Sequence, residues 1–275
     1  GSAGPVAIVQ HPDVQRMLLT MRSLTEATRS IACVAAQVGD LAEEHPDEQV
    51  RQTNQALYEY LVPVVKGFST ECSLEVTSLG VQVHGGMGFI EETGAAQFYR
   101  DARILTIYEG TTAIQANDLI GRKTLRGGGA VANSLAASIQ TTLEQLAVAI
   151  SKAGHAHQSG LKLIENQLTL ALASYRAAVQ YVLEHAKEDP RAVFAGSVPY
   201  LMLTGYVLGG WHLARAALVC VEPSHASDNF MQNKFATAVF YAGYILPRVQ
   251  AQYAAMQAGA IAMQAAEQSN LVMGE

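Results

Sequence analysis

Residues 12–44 carry a helical repeat long enough to point to a fold class. Apolar or small side chains recur at positions 14, 17, 18, 21, 24, 28, 31, 34, 35, 38 and 41. That is the 3.6-residue period of an amphipathic helix. Pro12 suits the first helical position, and His45-Pro46-Asp47 stops the run. A second helical stretch is predicted from Glu48 to Val83. Pro63 divides it as a first-turn residue of the latter part, and Leu61, Val65, Phe68, Cys72, Val76, Leu79 and Val83 form its stripe. His84-Gly85-Gly86-Met87-Gly88 ends it, because glycine permits left-handed backbone and close approach by another molecule.

The rest of the chain follows the same pattern. Thr93 is expected to cap a short helix through Ala102, residues 104–110 to form an apolar turn, and residues 111–125 another helix. Gly127-Gly128-Gly129 is the clearest boundary. Four more helices are predicted at 131–153, 158–187, 191–221 and 228–267. The breaks lie at His155–Gln158, Asp189-Pro190 and Glu222-Pro223, short connections that suit antiparallel neighbours. No alternating β-branched run is present. The predicted architecture is all-α, a helical bundle at 5–127 followed by a second antiparallel helical bundle at 128–275.

Composition narrows the function classes. With 49% hydrophobic and 15% charged residues the chain is no disordered segment. A net charge of -6 argues against nucleic acid as the main partner. Cys33, Cys72 and Cys220 have no metal or disulfide spacing, which makes a reducing cytoplasm the default. His155 and His157 lack nearby metal-ligand partners. Residues 192–214 contain no Asp, Glu, Lys or Arg, but Pro199, Gly205, Gly209, Gly210 and His212 interrupt the run. A buried bundle helix is the expected reading, with membrane association as the alternative. Gly1-Ser2 reads as a cloning remnant, and the abrupt start as the sign of a longer parent protein.

The chemistry concentrates in residues 82–123. Glu109 stands alone among apolar residues in ILTIYEGTT. Such a carboxylate is expected to be desolvated and raised towards neutrality, which suits a general base. It could equally cap the helix that follows. Arg100-Asp101 is expected to fix the preceding turn by ion pairing, Glu91-Glu92 to be solvated, His84 to be structural, and Arg122, Lys123 and Arg126 to be helix-end charges.

HGGMG, then YRDARI, then IYEGTTAIQ, in this order and spacing, resembles the acyl-CoA dehydrogenases. The resemblance covers residues 6–126 as the C-terminal helical domain of that fold. By layout more than motif, residues 130–275 resemble the extra helical domain of longer members. It implies that Glu109 is the catalytic base. The base removes the α-proton of an acyl-CoA thioester while the β-hydride passes to FAD, giving a trans-2-enoyl-CoA. The backbone N–H of residue 109 would hold the thioester carbonyl. Tyr108, Glu109 and Gly110 would lie along the substrate, and Ile104, Ile107 and Thr111 near the flavin. Gln82, Gly85 and Gly86 would touch the FAD pyrophosphate of a neighbouring subunit.

The implied partners are acyl-CoA, an electron-transfer flavoprotein or similar acceptor, and further copies in a homodimer or homotetramer. The implied setting is fatty-acid β-oxidation. Ala113 stands where many relatives have glutamine. The helical and β-barrel domains that precede this region in the family are absent from the sequence, as is an arginine within residues 1–11. The chain alone is therefore expected to be inactive and to hold FAD weakly or not at all. The rival readings are a non-catalytic oligomerisation module and a membrane-associating helical domain.

Overall fold

A computed structural model describes residues 4–225 and 227–269; Gly1-Ser2 and the last residues of the second predicted bundle lie outside them. Among the described residues all regular structure is helical. α1 (Pro12–Glu44) starts with proline in its first turn. It buries Met17, Leu24, Ala27, Ile31, Ala35 and Val38 together with Thr20 and Ser23, so the stripe is more polar than the apolar count predicted. Asp47 then accepts a bond from the Gln49 N–H at 2.8 Å and caps α2 (Glu48–Pro63).

Pro63 does not open a new helix. It is the last residue of α2, and the chain runs on through a π-helical turn at Val64–Phe68 into α3 (Ser69–Val83). Proline has no N–H to give the preceding turn. The wider i to i+5 pattern absorbs that gap without breaking the helix. The far end of the predicted stripe, at Val76, Leu79 and Val83, is only half-buried.

α4 (Gly86–Phe89), α5 (Ala95–Leu105) and α6 (Thr112–Asp118) follow, with a second π turn at Leu119–Leu125. Gly128 and Gly129 take positive φ of 58° and 77° before α7 (Ala130–Lys152). α8 (His155–His185) begins inside the predicted break, leaving only Ala153-Gly154 as the connection. The predicted helix 191–221 is two, α9 (Pro190–Ala195) and α10 (Ser197–Cys220). They part at Gly196, where a Cβ would lie 2.7 Å from Met256 Cγ. The predicted helix 228–267 is also two, α11 (Asn229–Tyr244) and α12 (Arg248–Gln268). Pro247 lacks the N–H that would continue the ladder.

α10 is the axis of the bundle. The stretch without charges is buried on nearly every side, as expected of a helix surrounded by helices. Its small residues admit neighbours closely: Gly205 faces Phe68, Gly209 faces Ala27 and Tyr241, and Gly210 faces Leu246. Among the described residues no helix is long and apolar enough to cross a membrane.

One apolar core runs from α1 through α12 across the glycine boundary. Within it Tyr60 shares hydroxyl bonds with Tyr175 at 2.9 Å and Tyr200 at 3.4 Å, and Thr124 meets Tyr200 at 3.1 Å. Mutual hydrogen bonding lets these phenols be buried, and burial raises their pKa values well above the ordinary tyrosine range. Two ion pairs tie the first part to the second, Glu26 to Lys234 at 2.6 Å and Glu75 to Arg248 at 2.7 Å.

Candidate active site

The turn between α5 and α6 is built by short backbone bonds. Ile107 and Tyr108 both donate their N–H to the Ile104 carbonyl, at 3.0 and 3.1 Å, and Thr112 donates to the Thr106 carbonyl at 3.2 Å. Buried Thr106 donates its hydroxyl to the Arg103 carbonyl and accepts a bond from the Arg103 guanidinium. Thr111 caps α6, its Oγ1 accepting from the Ile114 N–H at 3.4 Å.

Two residues in this turn have unusual backbone. Gly110 has φ 101°, and a Cβ there would come within 2.7 Å of Gln115 Nε2. Glu109 has φ 50°, the one positive φ outside glycine among the described residues. A non-glycine residue in that region costs about 1 kcal/mol or more, and such strain persists only where the surroundings impose it. The N–H groups of Glu109 and Gly110 donate to no protein acceptor among the described residues.

Side chains from α3 and the π turn before it grip both ends of this loop. Lys66 Nζ donates to the Leu105 carbonyl at 2.5 Å and lies 4.9 Å above the centre of the Tyr108 ring. Glu71 accepts the Thr112 hydroxyl proton at 2.5 Å. Motif spacing did not reveal these two, nor Arg103 and Thr106. The available signal was Lys66 itself, a lone cation within the apolar run 61–68.

Three local expectations change. Glu109 is exposed, as are Ile104, Ile107 and Tyr108, so no described residue buries the carboxylate. Its apolar neighbours in sequence point outward beside it. Arg100 pairs with Glu91 at 2.9 Å on the surface, and Arg103 is the arginine that fixes the turn. Thr93 donates its hydroxyl to the Met87 and Ile90 carbonyls, and Gly94 occupies the cap position of α5 with φ 78°.

The HGGMG loop lies at the other end of α5. His84 Nδ1 donates to the Gly80 carbonyl at 2.7 Å, a structural bond that closes α3. Gly85 has φ 61°, and a Cβ on Gly88 would lie 2.2 Å from the Val81 carbonyl oxygen. Nothing lies within 4 Å of a Cβ built on Gly85 or Gly86, and Gln82 is exposed beside them.

Ile104, Ile107, Tyr108 and Glu109 are thus exposed along one turn with Gly110 and Thr111 half-buried beside them, while Gln82, Gly85 and Gly86 are exposed together elsewhere. Glu71, which binds the first surface, and Gln82, in the second, are separated by eleven residues of α3, about 16 Å at 1.5 Å per residue. Among the described residues no cluster of His, Cys, Asp and Glu is arranged to hold a metal.

A family described as "Acyl-CoA dehydrogenase, C-terminal domain" matches residues 3–124, and one described as "Acetyl-CoA dehydrogenase C-terminal like" matches residues 135–267. The 3-methylmercaptopropionyl-CoA dehydrogenase of Ruegeria pomeroyi is 52% identical over 250 residues, 90% of this chain and 41% of that protein. The broad-specificity linear acyl-CoA dehydrogenase FadE5 of Mycobacterium tuberculosis is 31% identical over 90% of this chain and 41% of its own length. The fold is also that of an acyl-CoA dehydrogenase from Bacillus anthracis solved with FAD, with a TM-score of 0.64 at 17% identity, over 93% of this chain and 44% of that one. The chain spans about two fifths of the length of the curated relatives it matches. It belongs to the acyl-CoA dehydrogenase family and corresponds to the family's C-terminal helical portion.

Proposed function

We propose that this chain carries the base of an FAD-dependent acyl-CoA dehydrogenase that converts acyl-CoA thioesters to trans-2-enoyl-CoA. The observation that carries the reading is the Glu109 turn. A strained, exposed carboxylate stands there beside free N–H groups and an outward apolar surface. Glu109 takes the proton from the carbon α to the thioester, and FAD, when bound, supplies the acceptor for the β-hydride. The N–H of residue 109 donates to the thioester oxygen as enolate charge develops on it. Tyr108 and Gly110 lie along the acyl chain.

The residues fit parts of two flavin nucleotides, the ring of the chain's own and the pyrophosphate of a neighbouring subunit's. Open glycine backbone at Gly85 and Gly86, with Gln82 beside it, suits a pyrophosphate. Ile104 and Ile107 offer an apolar surface for a ring system, and the Thr111 hydroxyl keeps its own proton to donate. Covering Ile104, Ile107 and Tyr108 with the rest of the enzyme would supply the desolvation that Glu109 lacks in this chain. The isolated chain is accordingly inactive. Residues 5–127 form the site-bearing unit and 128–275 the additional helical unit. The electron acceptor is an electron-transfer flavoprotein or similar carrier, and three free cysteines suit a cytoplasmic setting.

In the full-length enzyme, Glu109→Gln is expected to abolish flavin reduction by acyl-CoA while folding is retained. The 3-methylmercaptopropionyl thioester named for the Ruegeria relative is the first compound to try. Undiminished reduction overturns the assignment. A second reading, assembly into a homodimer or homotetramer through this portion, is supported by exposed Met87, Phe89, Phe98 and Tyr99. Light scattering that finds only monomer at micromolar concentration removes it.

A further inference from the structure

We propose that Lys66 and Glu71 are positioning residues for Glu109. The proposal rests on the reading of Glu109 as the base. A strained turn needs restraint on both sides, because a turn free at one end relaxes into ordinary backbone. The two restraints come from one rigid element. Lys66 holds the last carbonyl of α5 and covers the Tyr108 ring, so it fixes the residue immediately before Glu109. Glu71 holds the Thr112 hydroxyl, three residues after Glu109, at the start of α6. The Thr112–Thr106 backbone bond closes the loop between them.

The helix containing these two residues is built for the task. Residues five apart lie on different sides of a regular α-helix. The π turn at Val64–Phe68, with its i to i+5 pattern, lets Lys66 and Glu71 reach the same loop. The π turn is held in turn by the core. Phe68 is fully buried and packs edge-on to Tyr206 with centroids 5.1 Å apart. Lys66 is thus anchored at its backbone and can hold Leu105 as a fixed point. Neither side chain needs to touch substrate. Their effect is on where the Glu109 carboxylate and its N–H stand relative to the carbon and oxygen that react.

The test uses the full-length flavoenzyme and compares Lys66→Met, Lys66→Arg, Glu71→Ala and Glu71→Gln. A small displacement of a reacting group costs on the order of 100-fold in rate. Lys66→Met and Glu71→Ala are expected to slow flavin reduction by about 10- to 100-fold, with KM for acyl-CoA and flavin content within about twofold of wild type. Lys66→Arg still donates to the Leu105 carbonyl and Glu71→Gln still accepts from Thr112, so both are expected to recover most of the rate.

Rate losses that follow lost flavin or lost melting temperature, with no recovery in Lys66→Arg or Glu71→Gln, overturn the proposal. So do wild-type rates in Lys66→Met and Glu71→Ala beside an inactive Glu109→Gln, which leave the base reading standing. An active Glu109→Gln overturns the base reading and this proposal together. If Lys66→Met and Glu71→Ala fail to fold, Thr112→Val against Thr112→Ser decides by the same criterion, because Thr112→Val keeps the shape of threonine without the hydroxyl that Glu71 accepts from and Thr112→Ser keeps the hydroxyl.

Discussion

Gly205 sits at the point where α10 meets the π turn, and its replacement by alanine sets two known effects against each other. In a helix interior alanine is favoured over glycine by about 1 kcal/mol. Here a Cβ would stand 2.1 Å from Phe68 Cγ, 2.4 Å from Cδ2 and 2.6 Å from Cδ1. Carbon atoms rest at about 3.5 Å or more, so the ring or the helix must move by more than about 1 Å. The atoms struck are at the root of the ring, and Phe68 is fully buried against Tyr206, so rotation offers no escape. Overpacking of this kind costs about 1–3 kcal/mol, and the depth of the clash favours the upper end. The net expectation is a loss of about 2 kcal/mol, or a melting temperature about 4–8 °C lower for a chain of this size.

Thermal unfolding followed by circular dichroism measures this, with Phe68→Ala, which removes all three of the atoms struck, and the double variant completing a cycle. Truncating Phe68 at Cβ should rescue Gly205→Ala, giving a favourable coupling of at least about 1 kcal/mol. Gly80→Ala in α3 is the control, because a Cβ there meets nothing within 4 Å; it should raise the melting temperature. A Gly205→Ala chain that melts at or above wild type, or a cycle that is simply additive, refutes the packing argument.

Three further outcomes follow from other parts of the fold. His212 is 7% exposed and stacks on Trp211. Burial first and the Arg215 charge second push its pKa down to about 4. The unfolded chain therefore binds a proton that the fold refuses. The stability from neutral His212 is complete above about pH 6.5 and is lost as pH falls towards 4, by up to about 3 kcal/mol. Urea midpoints from pH 7.5 to 4.5 should fall less steeply in His212→Leu, and equal slopes would sink the idea. Arg248 binds Glu75 through two bonds of 2.7 and 2.8 Å at a half-buried site. Arg248→Met should cost about 1–2 kcal/mol and the double Arg248→Met/Glu75→Met should restore most of it; a double-mutant cycle without coupling speaks against a specific pair. Glu109→Gly should leave the melting temperature of the chain unchanged or raise it, since glycine tolerates φ 50°. A drop of more than about 3 °C would show that Glu109 is not strained.

What the sequence disclosed depended on how local the cause was. α1 and the start of α2 were readable because Pro12 and Asp47 act within one turn of themselves. The buried state of α10 was readable from its missing charges. The break at Gly196 was missed although Pro199 stands in the first turn of α10, and the close approach of Met256, sixty residues away, has no local signal. Pro247 carried a local signal, but the apolar run on either side obscured it. The ordered motifs located the Glu109 turn, yet burial depends on what packs over a residue, and nothing among the described residues buries Glu109. Lys66 and Glu71 escaped for the same reason as Met256. They act across about forty residues of sequence, where spacing carries no information.

The separation along α3 leads to a stricter test of the proposed function. If Glu109 and the HGGMG loop serve one reaction centre, each chain supplies both parts of its own site. If the loop instead reaches the cofactor of a neighbouring subunit, as proposed from the motif, the parts belong to different centres. If the full-length enzyme assembles as the dimer proposed above, mixing tells these apart. Glu109→Gln removes the proposed base, and Gly86→Asp puts a like charge where a pyrophosphate would lie. In a mixed dimer with shared centres, one centre receives both defects and the other receives none. Random pairing makes half of the dimers mixed, so activity should return to about one quarter of wild type after two inactive proteins are unfolded and refolded together, as closed two-fold symmetry requires. With self-contained sites every centre keeps one defect and no activity returns. Absence of recovery in a mixture shown to contain mixed dimers would place Gln82, Gly85 and Gly86 outside the neighbouring subunit's site.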